Sequence, residues 1–149
     1  AGGDTKVGHD LGMERGVREG MRLTDEEVKA ISDAAKAAYP NETGGFVFIR
    51  DTGSNPRREL LFCQNYAEHP EEEFRPFVAD LESAAEELRL GFRGLCWHSH
   101  LGGWGDLSRQ DRECFSREYP FSACHPVVVV CKPLDGKLLV TFHYHDRVG

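Results

Sequence analysis

The sequence predicts a single domain of the α/β or α+β class, in which helices flank a mixed β-sheet. Its 149 residues are enough for one ordinary hydrophobic core and too few for two. Hydrophobic residues make up 40% and charged residues 29% of the chain, the balance of a globular rather than a disordered protein. Apolar residues at helical spacing alternate with short apolar runs, which predicts the order helix, hairpin, helix, strand, helix, hairpin.

The first predicted element is a helix that follows a leader. Residues 1–20 are rich in Gly and charge and have no apolar periodicity, so they are expected to be a flexible leader or linker before a domain over 21–149. Thr24 and Glu27 have the spacing of a capping box at a helix start. Apolar residues then recur at helical spacing until Pro40 ends the helix, and they are Val28, Ile31, Ala35 and Ala38.

A hairpin and a second helix follow. The apolar run 46–49 suits a buried strand, and residues 60–62 form the returning strand after the turn-forming residues 51–56. An acidic loop at 71–73 leads into the second helix. The apolar face of that helix is predicted to consist of Val78, Leu81, Ala85 and Leu88.

The last four elements continue the alternation. A strand is predicted over 95–98, and Ser108 begins a third helix after a glycine-rich loop. Strands over 127–131 and 138–142 form a second hairpin across the Asp135-Gly136 turn. The sequence has no internal repeat.

Charge and hydropathy exclude some classes of partner. The net charge of −7 argues against nucleic acid, which favours a basic surface. No stretch approaches the roughly 18 uninterrupted apolar residues of a membrane-spanning helix. The N-terminus has no apolar segment typical of a secretory signal, although a signal could have been removed from a chain that begins with Ala1.

The cysteines favour a reducing compartment. Their number, five, is odd, and no pair has the two-residue spacing of a redox or zinc-knuckle motif. We therefore expect buried, reduced thiols in a cytoplasmic protein. The five are Cys63, Cys96, Cys114, Cys124 and Cys131.

The segment with the most chemical information is His98-Ser99-His100, followed after seven residues by Ser108-Arg109-Gln110-Asp111. Two histidines two positions apart on a strand project from the same face. The intervening loop is long enough to start a helix whose first turn brings Asp111 to the same ion. A catalytic zinc usually takes three nitrogen or oxygen ligands and keeps a fourth position for water. The pattern therefore predicts a zinc site of His98, His100 and Asp111.

Each part of this pattern also has a purely structural explanation. Ser108 and Asp111 alone fit an N-cap and its partner acid, worth about 1 kcal/mol. A His-x-His pair alone is weak evidence, and His143 and His145 form a second one that we interpret as the face of a terminal strand. The joint occurrence favours the metal, because it gathers four polar groups where a strand leaves the sheet.

The combined pattern resembles the JAMM (JAB1/MPN/Mov34) zinc metalloproteases, whose motif is His-Ser/Thr-His, seven residues, Ser-x-x-Asp. Residues 39–45, Tyr-Pro-Asn-Glu-Thr-Gly-Gly, resemble the family's other motif, and on that match Glu42 is the catalytic glutamate. The resemblance runs from about residue 21 to 144, and residues 21–45 look especially like prokaryotic members. It implies a JAB/MPN-like fold, similar to the three-layer cytidine-deaminase-like architecture.

The resemblance also implies roles for the site residues. Zinc lowers the pKa of a bound water from about 16 towards 7. Glu42 would take the proton of that water and pass one to the leaving amine. The hydroxyl of Ser108, together with zinc, would stabilise the oxyanion. The motifs of zinc deaminases and of His-Glu-x-x-His proteases are absent from the sequence.

One departure from the family pattern affects the loop after the second histidine. Many relatives have Pro there, whereas this chain has Leu101 and then Gly102-Gly103-Trp104-Gly105, so the loop and the substrate fit are expected to differ. Trp104 is expected either to wall the substrate groove or to pack locally. The acidic stretch 68–73 is either a solvated face or a contact for a basic substrate tail. Cys96 is expected to pack under the metal without binding it.

The substrate class is an expectation from the resemblance. Similar JAMM enzymes cleave amide or isopeptide bonds, often directly after the Gly-Gly tail of ubiquitin or a ubiquitin-like modifier. A groove that admits only glycine beside the metal would explain this preference. We therefore expect an isopeptidase that releases a ubiquitin-like or sulfur-carrier protein. One alternative is a phage-tail-type or cell-wall peptide peptidase of the same family. Another is a non-catalytic scaffold, although the presence of all four key residues argues against it.

Overall fold

The structure is a computed structural model that describes the backbone of residues 3–9 and all atoms of residues 21–148. Six strands form one mixed sheet in the order β1-β6-β5-β4-β2-β3. The strands are β1 (Gly3–His9), β2 (Gly44–Arg50), β3 (Arg57–Cys63), β4 (Arg93–His100), β5 (Cys124–Leu134) and β6 (Lys137–Tyr144). The helices are α1 (Asp25–Ala38), α2 (Val78–Arg89) and α3 (Arg109–Arg117), with a short 3-10 turn at Phe121–Ala123. The predicted α/β class with a mixed sheet flanked by helices is confirmed.

Helix α1 covers one face of the sheet. Its capping box is complete, since Thr24 Oγ1 accepts the Glu27 N–H and Glu27 Oε1 accepts the Thr24 N–H. Its apolar residues Val28, Ile31 and Ala35 are buried against the sheet. Their partners are the side chains that the central strands direct to this face, including Val47, Ile49, Leu95, Trp97, Val127 and Val129.

Helices α2 and α3 cover the other face. The strand residues of the alternate set point there, including Phe46, Phe48, Cys96, Val128 and Val130, and they pack with Ala84 of α2 and Phe115 of α3. The central strands are therefore buried on both sides, which explains why their sequences are continuous apolar runs. The result is the expected arrangement of three layers, with helix, sheet and helices.

Two details differ from the sequence prediction. Val78 was expected on the packed face of the second helix, but it is 65% exposed, because it is the first residue of α2 and precedes the turn that contacts the sheet. Strand β1 was not anticipated within the segment expected to be a flexible leader. It pairs with β6 in parallel, and backbone pairing at a sheet edge needs no apolar pattern in the sequence. The rest of that leader, residues 1–2 and 10–20, lies outside the described residues.

The pairing of β2 with β4 brings the start of one strand beside the end of the other. In this antiparallel register Gly44 lies opposite His98. A Cβ atom on Gly44 would lie 2.6 Å from the Phe74 ring and 2.7 Å from the Trp97 carbonyl oxygen, so only glycine fits here. The segment that precedes β2, which contains Glu42, therefore runs close to the histidines of β4. Among the described residues, no helix combines the length and hydropathy needed to cross a bilayer.

Candidate active site

Three potential metal ligands converge where β4 ends and α3 begins. His98 and His100 lie on the same face of β4, and their Nε2 atoms are 2.9 Å apart. The Asp111 Oδ2 atom of α3 lies 3.1 Å from His98 Nε2 and 3.2 Å from His100 Nε2. Within the described part of the chain, these are the residues grouped as a possible metal site. The structure thus brings together the three residues predicted from the sequence.

This triangle fits the donor set of a catalytic zinc. Tetrahedral zinc with nitrogen or oxygen ligands at 2.0–2.1 Å separates neighbouring donor atoms by roughly 3.3 Å, close to the three distances here. Two imidazole nitrogens and a carboxylate oxygen are all potential hydrogen-bond acceptors, and here they point at one another with few hydrogen atoms available to bridge them. A divalent cation at their centre would be bound by all three donors at once. All three residues are at least partly buried, which limits competition from water.

Asp111 also caps the helix that carries it. Its Oδ2 atom accepts the backbone N–H of Ser108 at 3.0 Å, and the Ser108 Oγ atom accepts the backbone N–H of Asp111 at 3.1 Å. Asp111 can therefore cap helix α3 and also contribute to a metal site, so the two explanations of this motif are compatible. Burial opposes ionisation of Asp111, but hydrogen bonds from His100 and His98 outweigh it and hold its pKa well below the usual range. The carboxylate is thus ionised and ready to bind a cation.

The ring of His100 is oriented by the loop that follows it. His100 Nδ1 lies 3.4 Å from the backbone carbonyl oxygen of Trp104. Because a carbonyl only accepts hydrogen bonds, this contact favours a proton on Nδ1, so that Nε2 is the ring nitrogen that would bind a metal. Burial lowers the pKa of His100, yet the hydrogen bond to Asp111 outweighs it and the net shift is upward.

Glu42 lies on the wall of the same groove, and its backbone is held by two polar side chains, the buried Ser99 and the partly buried Asn65. Ser99 lies between the two histidines, and its hydroxyl oxygen accepts the backbone N–H of Thr43, the residue after Glu42, at 2.8 Å. Asn65 donates from its amide nitrogen to the carbonyl oxygen of Glu42 at 2.9 Å. The Glu42 backbone N–H donates to the Pro70 carbonyl at 2.7 Å. These contacts fix the backbone on both sides of Glu42 relative to the metal ligands.

The carboxyl group of Glu42 has the proton affinity that a proton carrier needs. Burial raises its pKa to about 7, with His100 opposing the shift and the charges of Asp111 and Glu73 adding to it. A group that titrates near neutral pH both accepts and returns a proton readily. The position and the pKa of Glu42 therefore suit the role predicted for it.

The metal triad and Glu42 line one open groove of about 840 Å³. Ser108 also lines it, and because its Oγ accepts from Asp111 N, the hydroxyl hydrogen is available to a bound substrate. One wall is acidic and contains Glu71, Glu72 and Glu73. Part of the acidic stretch thus faces the groove, as one of the two sequence interpretations requires.

The structure also shows the environment of the cysteines and of Trp104. All five cysteines are free, and Cys96 is buried below the groove and does not belong to the metal triad. Trp104 is 83% exposed, so local packing of its indole is not observed, and it does not line the groove.

Two residues with structural roles at the site were not identified from the sequence. Asn65 was passed over as part of a loop. His145, interpreted as the face of a terminal strand, is buried and contacts the loop after His100. For Asn65 the sequence carries only a weak indication, an amide two residues after a strand. For His145 the indication was the second His-x-His pair.

Comparison with known proteins agrees with this site. A family model described as prokaryotic homologs of the JAB domain matches residues 24–143, which is most of the chain and includes Glu42, His98, His100, Ser108 and Asp111. No curated protein matches the chain.

Proposed function

Because the chain belongs to the family of prokaryotic homologs of the JAB domain, we propose that it is a zinc-dependent peptidase or isopeptidase. The bond cleaved is an amide directly after the C-terminal Gly-Gly of a ubiquitin-like or sulfur-carrier protein. The observation that carries this proposal is the shared groove, in which a His-His-Asp triad with donor atoms 2.9–3.2 Å apart adjoins a glutamate whose pKa is about 7.

His98, His100 and Asp111 would hold the ion and leave one side of the triangle facing the groove. Zinc, when bound, supplies Lewis acidity that brings the pKa of a water molecule near 7. The Glu42 carboxylate accepts the proton of the attacking water, and the resulting carboxylic acid donates a proton to the nitrogen of the leaving amine. The Ser108 hydroxyl donates a hydrogen bond to the oxyanion that develops on the scissile carbonyl.

Two further features support a compact enzyme with a peptide substrate. The groove is open, so an extended tail has access to the triad from solvent. Glu42 and Phe74 both line it, and the Phe74 ring leaves no room for a Cβ atom on Gly44. A narrow passage beside the metal site would favour glycine in the substrate, because a larger side chain would clash.

Five free thiols support a cytoplasmic location, where thiols stay reduced.

The test is cleavage of defined fusions. Zinc-loaded protein is incubated with a panel of ubiquitin-like and sulfur-carrier proteins fused through Gly-Gly to a short extension, and the products are followed by intact mass. We expect cleavage after the second glycine, and loss of cleavage in Glu42→Gln and in substrates with alanine at either glycine. Equal cleavage of the alanine substrates would overturn the Gly-Gly preference. Digestion of purified peptidoglycan with the fusions left intact would instead identify a cell-wall peptide peptidase.

A further inference from the structure

We propose that His145 and His143 are positioning residues for the metal site. They hold the peptide groups on either side of Gly105, so that the Trp104 carbonyl oxygen faces His100 and orients its ring. This inference rests on the proposed zinc site and extends it to the terminal strand on the far side of the loop.

The first contact is a buried hydrogen bond between His145 and the loop. His145 Nε2 lies 2.7 Å from the Gly105 carbonyl oxygen, and the His145 residue is only 7% exposed. Since the carbonyl accepts, the hydrogen must be on Nε2. The backbone N–H of His145 donates to the Pro126 carbonyl at 2.9 Å, which ties this histidine to β5. His145 therefore fixes the loop relative to the sheet.

The second contact is steric. A Cβ atom on Gly105 would overlap the ring of His143, so the loop backbone lies directly against that ring. His143 is in turn held on β6, where its Nε2 atom is 3.0 Å from Thr141 Oγ1. With the His143 ring in this place, only glycine fits at position 105.

The loop has few other restraints near His100. Gly102 and Gly103 adopt φ values of +93° and +78°, and no atom of the described residues lies within 4 Å of the space a Cβ would take. The side chain of Trp104 is exposed and does not anchor the loop. The next buried side chain is Leu107. The contacts of His143 and His145 with Gly105 are therefore the ones in position to hold the Trp104 carbonyl.

The Trp104 carbonyl belongs to the peptide group that joins Trp104 to Gly105, and the Gly105 carbonyl belongs to the following one. With the Gly105 carbonyl held by His145 and the Gly105 Cα packed against the His143 ring, the first peptide group has less room to rotate. The Trp104 oxygen then stays 3.4 Å from His100 Nδ1 and keeps His100 Nε2 directed at Asp111. Groups that orient a metal ligand in this way typically change metal affinity by 10- to 100-fold.

The experiment compares His145→Leu with His145→Gln in the full chain. Leucine removes the donor, whereas glutamine carries an amide N–H near the position of Nε2. Zinc affinity is measured by competition with a chromophoric chelator, and the geometry of the site by the visible absorption of the Co²⁺-loaded protein. We expect His145→Leu to lose about 10-fold or more in affinity and to change the Co²⁺ spectrum, and His145→Gln to recover most of both.

Two controls separate the possible failures. Gly105→Ala displaces the loop from the His143 ring without altering either histidine. It is expected to weaken zinc binding as well. It therefore tests the proposal if His145→Leu does not fold. Wild-type affinity and spectrum in folded His145→Leu, or in folded Gly105→Ala, would overturn the proposal. Failure of the wild-type protein itself to bind zinc would instead overturn the proposed function.

Discussion

The Ser99 hydroxyl accepts the backbone N–H of Thr43 at 2.8 Å, and the Ser99 backbone N–H donates to the Thr43 carbonyl at the same distance. Ser99 is fully buried and stands between the two histidines, while Thr43 directly follows Glu42. The middle residue of His-Ser-His thus connects the segment that carries Glu42 to the strand that carries the two histidines through two hydrogen bonds.

Replacing Ser99 with alanine is expected to misplace Glu42 and leave the metal ligands in position. The partly buried Thr43 N–H would lose its partner, at a cost of about 1 kcal/mol in the free energy of unfolding. We expect a lower kcat with unchanged zinc affinity, measured by steady-state cleavage and chelator competition. Ser99→Thr keeps the hydroxyl and serves as the control; equal loss in both variants would contradict this role.

Asn65 is expected to be needed for the Glu42 side of the groove. Its amide nitrogen donates to the carbonyl oxygens of Glu42 and Glu73, and its amide oxygen accepts the N–H groups of Ala67 and Arg75. Asn65→Ala leaves these groups without a partner, so we expect a loss of about 2 kcal/mol in stability and a clear loss of kcat/KM.

The matched control for Asn65 is the neighbouring amide Gln64, which is exposed. Gln64→Ala is expected to change stability by less than about 0.5 kcal/mol. Thermal unfolding and cleavage rates are measured for both variants. Similar losses in the two would show that the hydrogen bonds of Asn65 have no special role.

The raised pKa of Glu42 predicts that this residue destabilises the metal-free protein above neutral pH. The pKa is 4.5 for the ordinary group and about 7 in the folded state. The folded state therefore binds more protons between these values, and stability falls as the pH rises through this range. After allowance for solvent screening, we expect Glu42→Gln to be more stable than wild type by about 1–2 kcal/mol at pH 8.

This stability difference is measured by denaturant unfolding in the presence of a chelator at pH 5 and at pH 8. The advantage of Glu42→Gln should shrink at pH 5, where the carboxyl group is protonated in the folded state. An advantage that is equal at both pH values, or greater at pH 5, would mean that titration of Glu42 is not its source.

The two roles of Asp111 are separable. Asp111→Asn keeps a side-chain oxygen for the Ser108 N–H but removes the negative charge, so zinc affinity is expected to fall by roughly 100-fold or more while the metal-free protein stays folded. Ser108→Ala removes the cap and keeps the ligand, and is expected to cost about 1 kcal/mol in stability with little change in zinc affinity. Isothermal titration with zinc and thermal unfolding measure the two effects. The opposite pattern would make Asp111 a capping residue only.

The metal triad was predictable from sequence because its geometry is local. Alternation along one strand puts His98 and His100 on the same face, and a capping box fixes the start of the helix that carries Asp111. The capping box at Thr24 and Glu27 was equally clear, since both partners lie within one helical turn. These features depend on short spacings that the sequence displays directly.

Asn65, His145 and strand β1 were not predictable in the same way. Asn65 and His145 act on backbone carbonyls 23 and 40 positions away in the chain, and a carbonyl acceptor leaves no mark on residue type. Strand β1 pairs along β6 through backbone hydrogen bonds. Such contacts depend on how the elements are arranged in space, which follows from the packing of the whole sheet.

The contrast between the two tryptophans has a practical consequence. The chain contains two, and Trp97 is fully buried in the core whereas Trp104 is almost fully exposed on the loop that orients His100. We therefore expect iodide in solution to quench the fluorescence of Trp104 and to leave that of Trp97 unchanged. The quenchable fraction of the emission reports the state of this one loop, and a substrate tail that settles beside it would shield the indole and raise the iodide concentration needed. The protein thus has a native optical probe a few residues from its metal ligands, with no label required.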